Sequence, residues 1–359
     1  MAGEREADPA AAAFTARVRA DIAGGVVTLL CSLGDRLGLF ADLAARGPVT
    51  SMELAGRTGL DERYLREWLA ALACAGYLAY DPPTGRFRLP AAHAPTLAEE
   101  GALAFRGGMF EQFPALAGAL ERVAGAVRDG GGVPASAYDA RYGRGEERLN
   151  APVHDRLLIQ EIIPAVPEVQ AALERGAATA DVGCGAGRAV IRLARAFPRA
   201  RFVGYDLHRP SIERARAAAA DAGVADRARF EVRDAAAGTD ERFALVMTFV
   251  AVHDAPDPAA LLVGIRGMLS PDGVYLWCLE SVESERLEDH VEFGMLGALW
   301  YGTSLLYCLP TVRALGGEGL GSMGLPVTRM RALAAQAGFR SFAPVAIPSG
   351  LTDVVALRP

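Results

Sequence analysis

An imidazole and a carboxylate stand side by side at His253-Asp254, directly after the apolar run Phe249-Val250-Ala251-Val252. Such an imidazole can take a proton from a bound hydroxyl near neutral pH, because its ordinary pKa is close to 6.5; in an apolar setting it can equally cap a turn. Upstream, Ala180-Asp181-Val182-Gly183-Cys184-Gly185-Ala186-Gly187-Arg188 joins an apolar run to a helical pattern ending at Phe197. Three glycines alternating with small residues at a strand-to-helix junction let the backbone turn sharply, approach a ligand closely and present amide N–H groups at a helix N-terminus. Asp206 follows Asp181 by 25 residues, in Gly204-Tyr205-Asp206-Leu207, and a third acid stands in Arg233-Asp234-Ala235. Any one of these acids could be a helix cap. Three at successive strand ends fall on the carboxyl edge where parallel sheets bind ligands. There Asp206 can accept from both hydroxyls of a ribose, and Asp234 with the next backbone N–H can meet an adenine edge.

The spacing narrows the ligand. A dinucleotide fingerprint needs glycine at its first, third and sixth positions, but counting from Gly183 the sixth is Arg188 and the third glycine, Gly187, comes one place early. A phosphate-binding P-loop needs Gly-Lys-Ser/Thr, and the sequence has no lysine. The acidic-x-Gly-x-Gly-x-Gly run instead resembles motif I of class I S-adenosylmethionine-dependent methyltransferases. The resemblance implies S-adenosyl-L-methionine as cofactor and S-adenosyl-L-homocysteine as product, with Asp181 facing the methionine amine. It implies a cofactor site of Asp181, Gly183, Cys184, Gly185, Gly187, Asp206, Leu207, Asp234, Ala235 and Val250.

The stretch His253-Asp254-Ala255-Pro256-Asp257 is similar to the His-Asp-x-x-Asp segment of winged-helix O-methyltransferases of the caffeate and isoflavone type. In that family the histidine is the general base, and glutamates matching Glu280 and Glu318 orient it, giving His253, Asp254, Glu280 and Glu318 as the catalytic set. A bacterial group of winged-helix methyltransferases shares more: Arg63-Tyr64-Leu65-Arg66-Glu67-Trp68-Leu69, Gly204 to His208, Arg286-Leu287-Glu288-Asp289 and Gly319-Leu320-Gly321. Two departures leave the acceptor open. Ala255 replaces the tryptophan of the plant enzymes, and the segment around Trp300, Tyr301 and Tyr307-Cys308-Leu309-Pro310 is not theirs. Some relatives methylate carbon with a metal on a His-Asp pair plus a later histidine. His290 is the only candidate for that third ligand, and Met295 stands where those relatives place theirs, so no metal is expected.

These residues need elements to hold them. From Val166 onward strand and helix patterns alternate as a doubly wound, Rossmann-like sheet requires. Strands are expected near 179–182, 201–205, 228–232, 243–249 and 273–279, with two late ones near 341–346 and 353–357. Helices are expected near 188–197, 211–222, 258–269 and 327–337. Before this α/β domain at 166–359, residues 1–13 read as a disordered lead. Residues 14–100 read as a mostly helical winged-helix domain for dimerisation, and 101–165 as a helical connector. In the winged helix, Thr50 or Ser51 and then Asp61 can cap helices, and Leu65, Trp68, Leu69 and Leu72 share one face at i, i+3, i+4 and i+7. From Ser51 to Pro90 five arginines balance five acids, which argues against phosphate neutralisation and favours dimerisation over DNA binding. Tyr138, Tyr142, Arg144, His154 and Gln160 in the connector, with His290, Trp300 and Tyr307 later, are candidates for a substrate pocket or, for the connector residues, solvated chain.

Composition sets bounds. With 43 acids, 37 bases and 51% hydrophobic residues, the sequence carries no basic surface for nucleic acid or anionic membrane. Five scattered cysteines lack metal-ligand spacing and suit a reduced, cytoplasmic protein. The most apolar stretch, Ile22 to Phe40, is interrupted by Asp35 and Arg36 and reads as a buried helix. The expectation is a cytoplasmic homodimer that methylates a small-molecule acceptor, most simply on oxygen. The open alternatives are a C- or N-methyltransferase of natural-product biosynthesis, a cofactor-binding protein without transfer, and a cofactor-sensing winged-helix regulator.

Overall fold

The computed structural model describes residues 8–279, 282 and 284–359. The chain divides into two compact units: one holds the residues through Ala115 with Arg144–Leu149, the other Leu116–Gly143 with Asn150–Pro359.

The first unit opens with the 28-residue helix α1 (Pro9–Arg36), capped by Asp8 through a hydrogen bond from Ala10 N. It begins inside the lead expected to be disordered, because Pro9 suits the first helical position and alanines 10–13 are strong helix formers. After α2 (Leu39–Arg46), Thr50 and Glu53 form a capping box on α3 (Ser51–Thr58). Asp61 then caps α4 (Glu62–Cys74), accepting from Arg63 N and Tyr64 N. Helix α4 buries Leu65, Trp68, Leu69 and Leu72, the expected face, and Trp68 Nε1 donates to Leu30 O at 2.9 Å, tying α4 to α1. Antiparallel strands β1 (Ala79–Asp81) and β2 (Arg86–Arg88) supply the wing. The stretch Ile22 to Phe40 is buried only at its end: Cys31, Leu39 and Phe40 are in the core, while Ile22, Val26 and Leu29 are exposed. No single described helix is long and apolar enough to cross a membrane.

Helix α5 (Ala94–Leu97) precedes α6 (Gly107–Asp129) and α7 (Arg141–Pro152). Both α6 and α7 contribute residues to the two units, so the connector expected at 101–165 is not a separate piece. A π-helical segment, Val153–Ile162, continues α7 and is followed by α8 (Pro167–Arg175).

The second unit is built on seven strands: β3 (Ala178–Val182), β4 (Arg201–Asp206), β5 (Ala228–Val232), β6 (Phe243–Phe249), β7 (Leu269–Leu279), β8 (Ser341–Val345) and β9 (Asp353–Arg358). Their order is β5-β4-β3-β6-β7-β9-β8. The first five pair in parallel, and β9 lies antiparallel between β7 and β8, so the late strands make the sheet mixed. Helices α9 (Arg188–Ala196), α10 (Arg209–Asp221) and α11 (Pro258–Gly267) follow β3, β4 and β6. Between β7 and β8 come α12 (Leu287–Glu292), α13 (Met295–Thr303), a second π-helical segment (Ser304–Cys308), α14 (Leu309–Ala314) and α15 (Val327–Gln336). Alternate side chains feed two cores. Leu245 and Met247 of β6 and Leu276 of β7 enter one, while Val246, Tyr275 and Trp277 enter the other. In register Val182 lies opposite Tyr205 and Asp206 opposite Val232, which brings the three acids to one edge.

Candidate active site

Asp181 is buried, and its Oδ1 has no hydrogen-bond partner. Burial, with the nearby Asp206, pushes its pKa up to about 7. An acid held this way regains its charge when a cation comes beside it. The loop after β3 spends its amides internally. Gly183 N and Cys184 N both donate to Tyr205 O, at 2.8 and 3.1 Å, and Gly185 N donates to Asp206 Oδ2 at 2.9 Å. The N–H groups expected to face a ligand are therefore taken by β4, and what the loop offers is close approach. At Gly185 (φ +52°) a Cβ would have nothing within 4 Å, whereas at Gly187 (φ +79°) it would strike the Phe230 ring at 2.5 Å. Gly185 borders the open side of the loop and Gly187 its packed side.

Asp206 also accepts from His208 N at 2.7 Å, and each of its oxygens keeps a lone pair for a further donor. Leu207 beside it is exposed. Asp234 accepts from Ala236 N at 2.9 Å and so fills the capping role its position allowed; Ala235 is buried. Val250, just past β6, has φ +52°, a conformation rare for a β-branched residue and of the kind that clusters at ligand sites.

His253 is buried, with Nε2 3.2 Å from Asp254 Oδ1. The contact is close enough for charge stabilisation, although that oxygen is not aligned for a hydrogen bond. The thiol of Cys308 completes a cluster: donor atoms of His253, Asp254 and Cys308 all lie within 4.8 Å of one another. Among the described residues this is the set that could converge on a cation, and nitrogen, oxygen and sulfur are donors zinc accepts. Glu318 is exposed and makes no hydrogen bond to His253, although a Cβ on its neighbour Gly317 would lie 2.5 Å from Pro256 O, so the segment does pass the His253 loop. Glu280 lies outside the described residues. His290 is buried and engaged at both ring nitrogens. Its Nε2 donates to Ser284 O at 2.8 Å and its Nδ1 accepts from Tyr301 Oη at 2.8 Å, joining α12 to α13.

Tyr138, Tyr142 and Tyr307 form one aromatic cluster. Tyr142 stacks on Tyr307 with ring centroids 3.4 Å apart, and Tyr138 meets Tyr307 edge-on at 4.9 Å. Tyr138 Oη donates to Leu306 O at 2.7 Å. Tyr307 precedes Cys308 in the second π-helical segment. His154 and Trp300 line a cavity with Phe249 and Val250. Arg144 belongs to the other unit, where it pairs with Glu111, and Gln160 is exposed.

Residues 25–99 match the Rv2258c-like winged HTH domain, and residues 173–302 match a methyltransferase domain. The chain is a methyltransferase with an N-terminal winged helix. Solved structures share its fold over nearly the whole length. The mitomycin 7-O-methyltransferase is 21% identical, with a TM-score of 0.69 over 97% of this chain and 98% of its own. The human N-acetylserotonin methyltransferase, solved with SAM, is 19% identical, with a TM-score of 0.69 over 99% of both chains. A methyltransferase of calicheamicin biosynthesis, solved with SAH, is 20% identical, with a TM-score of 0.64 over 99% of this chain and 100% of its own.

Two features near these residues have no signature in the sequence. Cys308 carried no motif, and only the return of the chain through the second π-helical segment brings its thiol to His253. Asp155 accepts from Arg188 at 2.9 and 2.5 Å and from Arg192 at 2.7 Å, fastening the first π-helical segment to α9, the helix that follows the glycine loop.

Proposed function

We propose that this methyltransferase moves the methyl group of S-adenosyl-L-methionine to a hydroxyl of a small, partly aromatic metabolite, leaving S-adenosyl-L-homocysteine, with His253 as general base. The observation that carries the reading is the buried imidazole of His253, with the half-buried Asp254 beside it, one strand away from the orphaned carboxylate of Asp181. The residues fit the cofactor. Asp181 Oδ1 lacks a partner that an ammonium would supply, Gly185 leaves the loop open on one side, and Asp206 can take a ribose diol. Leu207, Asp234, Ala235 and Val250 would border the adenosyl group. Neighbours solved with SAM or SAH support the same cofactor, and neighbours named for mitomycin and calicheamicin support a place in natural-product biosynthesis.

When bound, the cofactor supplies a methyl group on a sulfonium, whose departing thioether is neutral. The protein then has to align the acceptor and remove its proton. His253 takes that proton, and Asp254 at 3.2 Å stabilises the imidazolium that forms. Tyr138, Tyr142 and Tyr307 give the acceptor an aromatic wall. The orienting role of Glu280 belongs to this proposal; Glu318 is exposed, and among the described residues Asp254 is the acid in contact with the imidazole.

The winged helix serves assembly in this reading. Arg63 pairs with Glu67 and Arg66 with Glu62 along α4, so the arginines of the would-be recognition helix are already neutralised. The exposed apolar side of α1 joins two copies into a homodimer, and the buried thiols with no bridge between them suit the cytoplasm. The test is turnover: radiolabelled S-adenosylmethionine with a panel of phenols and hydroxylated polycycles should label oxygen. Label on carbon or nitrogen alone, or none with any acceptor while the cofactor binds, would overturn oxygen transfer.

A further inference from the structure

Beside the first π-helical segment lies a cavity of about 240 Å³, walled by Val153, His154, Phe249, Val250, Trp300 and Leu351, with Asn150 and Thr352 also in its lining. An apolar cavity of about 150 Å³ binds benzene, so this space takes one or two fused rings. No arginine lines it among the described residues, and Asp353 stands in its wall, so an anionic ligand would meet a carboxylate and no counter-charge. His154 is the unusual member. Neither of its ring nitrogens has a hydrogen-bond partner and both are shut off from solvent, while its ring stands edge-on to Phe249 at 4.8 Å. Burial, with the charge of Arg188, lowers its pKa to about 4. The neutral imidazole offers one donor and one acceptor, and neither is met within the protein. The roof that carries it is fixed to α9 by Asp155.

We infer that this cavity binds a neutral aromatic group of one or two rings bearing a hydroxyl or amide, with His154 as its hydrogen-bond partner and Phe249 and Trp300 as its walls. Resting on the function proposed above, the group is the non-reacting end of the acceptor, since Phe249 and Val250 lead directly into the turn that carries His253.

The test uses 2-naphthol and naphthalene as probes, with binding followed by ligand-detected NMR on the full chain with and without S-adenosylhomocysteine. The wild-type protein should bind 2-naphthol about 3–10-fold more tightly than naphthalene, the worth of one hydrogen bond. His154→Phe should keep naphthalene binding and erase the preference. Val153→Trp, which fills the cavity, should abolish binding of both probes with an unchanged melting temperature. The inference fails if neither probe binds, if His154→Phe keeps the preference, or if folded Val153→Trp binds both probes as before. Probe binding without any S-adenosylhomocysteine binding would keep the cavity and overturn the cofactor; the reverse would keep the cofactor and overturn the cavity.

Discussion

Trimming His253 to alanine removes the proposed base and leaves Asp181 and Asp206 on their own strands and Asp234 just past β5 undisturbed. His253→Ala should therefore keep cofactor affinity near the wild-type value and lower turnover by roughly 10²–10⁴-fold; near-full turnover with the same acceptor would move deprotonation elsewhere. Because His253, Asp254 and Cys308 could also hold a cation, dialysis against EDTA is the companion measurement. Turnover should be unchanged by the chelator if His253 works as a free base, and a loss restored by zinc would assign the cluster to a metal. Asp181 gives a prediction in pH. Burial and Asp206 raise its folded pKa to about 7 from an ordinary 3.8, so the unfolded chain ionises first and the ligand-free fold loses stability as pH rises from about 4 to about 7. Asp181→Asn should raise the melting temperature of the ligand-free protein at pH 8 much more than at pH 4, while weakening cofactor binding. An equal shift at both pH values would show that Asp181 titrates normally.

How far the sequence could be read depended on whether a feature was local. The caps at Thr50 and Asp61, the buried face of α4 and the parallel strands that end in acids follow from side-chain chemistry and period within one segment, and the structure bears them out. The place of β9 between β7 and β8 depends on pairing across the chain, and no local pattern encodes it. The same is true of the glycine loop's amides, whose acceptor is the Tyr205 carbonyl on another strand. The partners of His290, Ser284 O and Tyr301 Oη, likewise come from packing beyond its own helix. The two π-helical segments carry no sequence signature, although such segments often mark functional sites. The Asp155 latch between the first of them and α9 can be tested directly. Burial raises its pKa, but hydrogen bonds from Arg188 and Arg192 outweigh that and hold the carboxyl well below the usual range. Its stabilisation is present above the unfolded pKa and lost as pH falls toward the folded one. Asp155→Asn should cost about 1–2 kcal/mol at pH 7 in urea titrations, near the low end for a charged hydrogen-bond cluster because both arginines are part exposed. The difference from wild type should shrink below pH 4; a constant difference would mean packing, not charge, holds the segment.

The assembled protein must account for α1. Phe14, Val18, Ile22, Val26, Leu29 and Leu33, then Leu37 at its C-cap, recur at steps of three or four along it, and all are exposed, Phe14 and Ile22 by about two thirds. Residues at this spacing lie on one side of a helix. A helix with no tertiary cover over its first turns is marginal in water even when alanine-rich, and so continuous an apolar stripe exceeds what monomers usually leave bare. A second copy would supply the missing cover at the lowest cost in new chemistry, since the same stripe can be self-complementary about a two-fold axis. Light scattering should therefore give a dimer at micromolar concentration, with an interface above about 2,000 Å², as obligate pairs have. The double variant Ile22→Glu, Val26→Glu should shift it to monomer and lower the helical signal in circular dichroism, because α1 would lose its cover. Cofactor affinity should survive the change, because Asp181, Asp206 and Asp234 all belong to the other compact unit. A wild-type monomer with full helical signal would show that α1 stands without a partner copy.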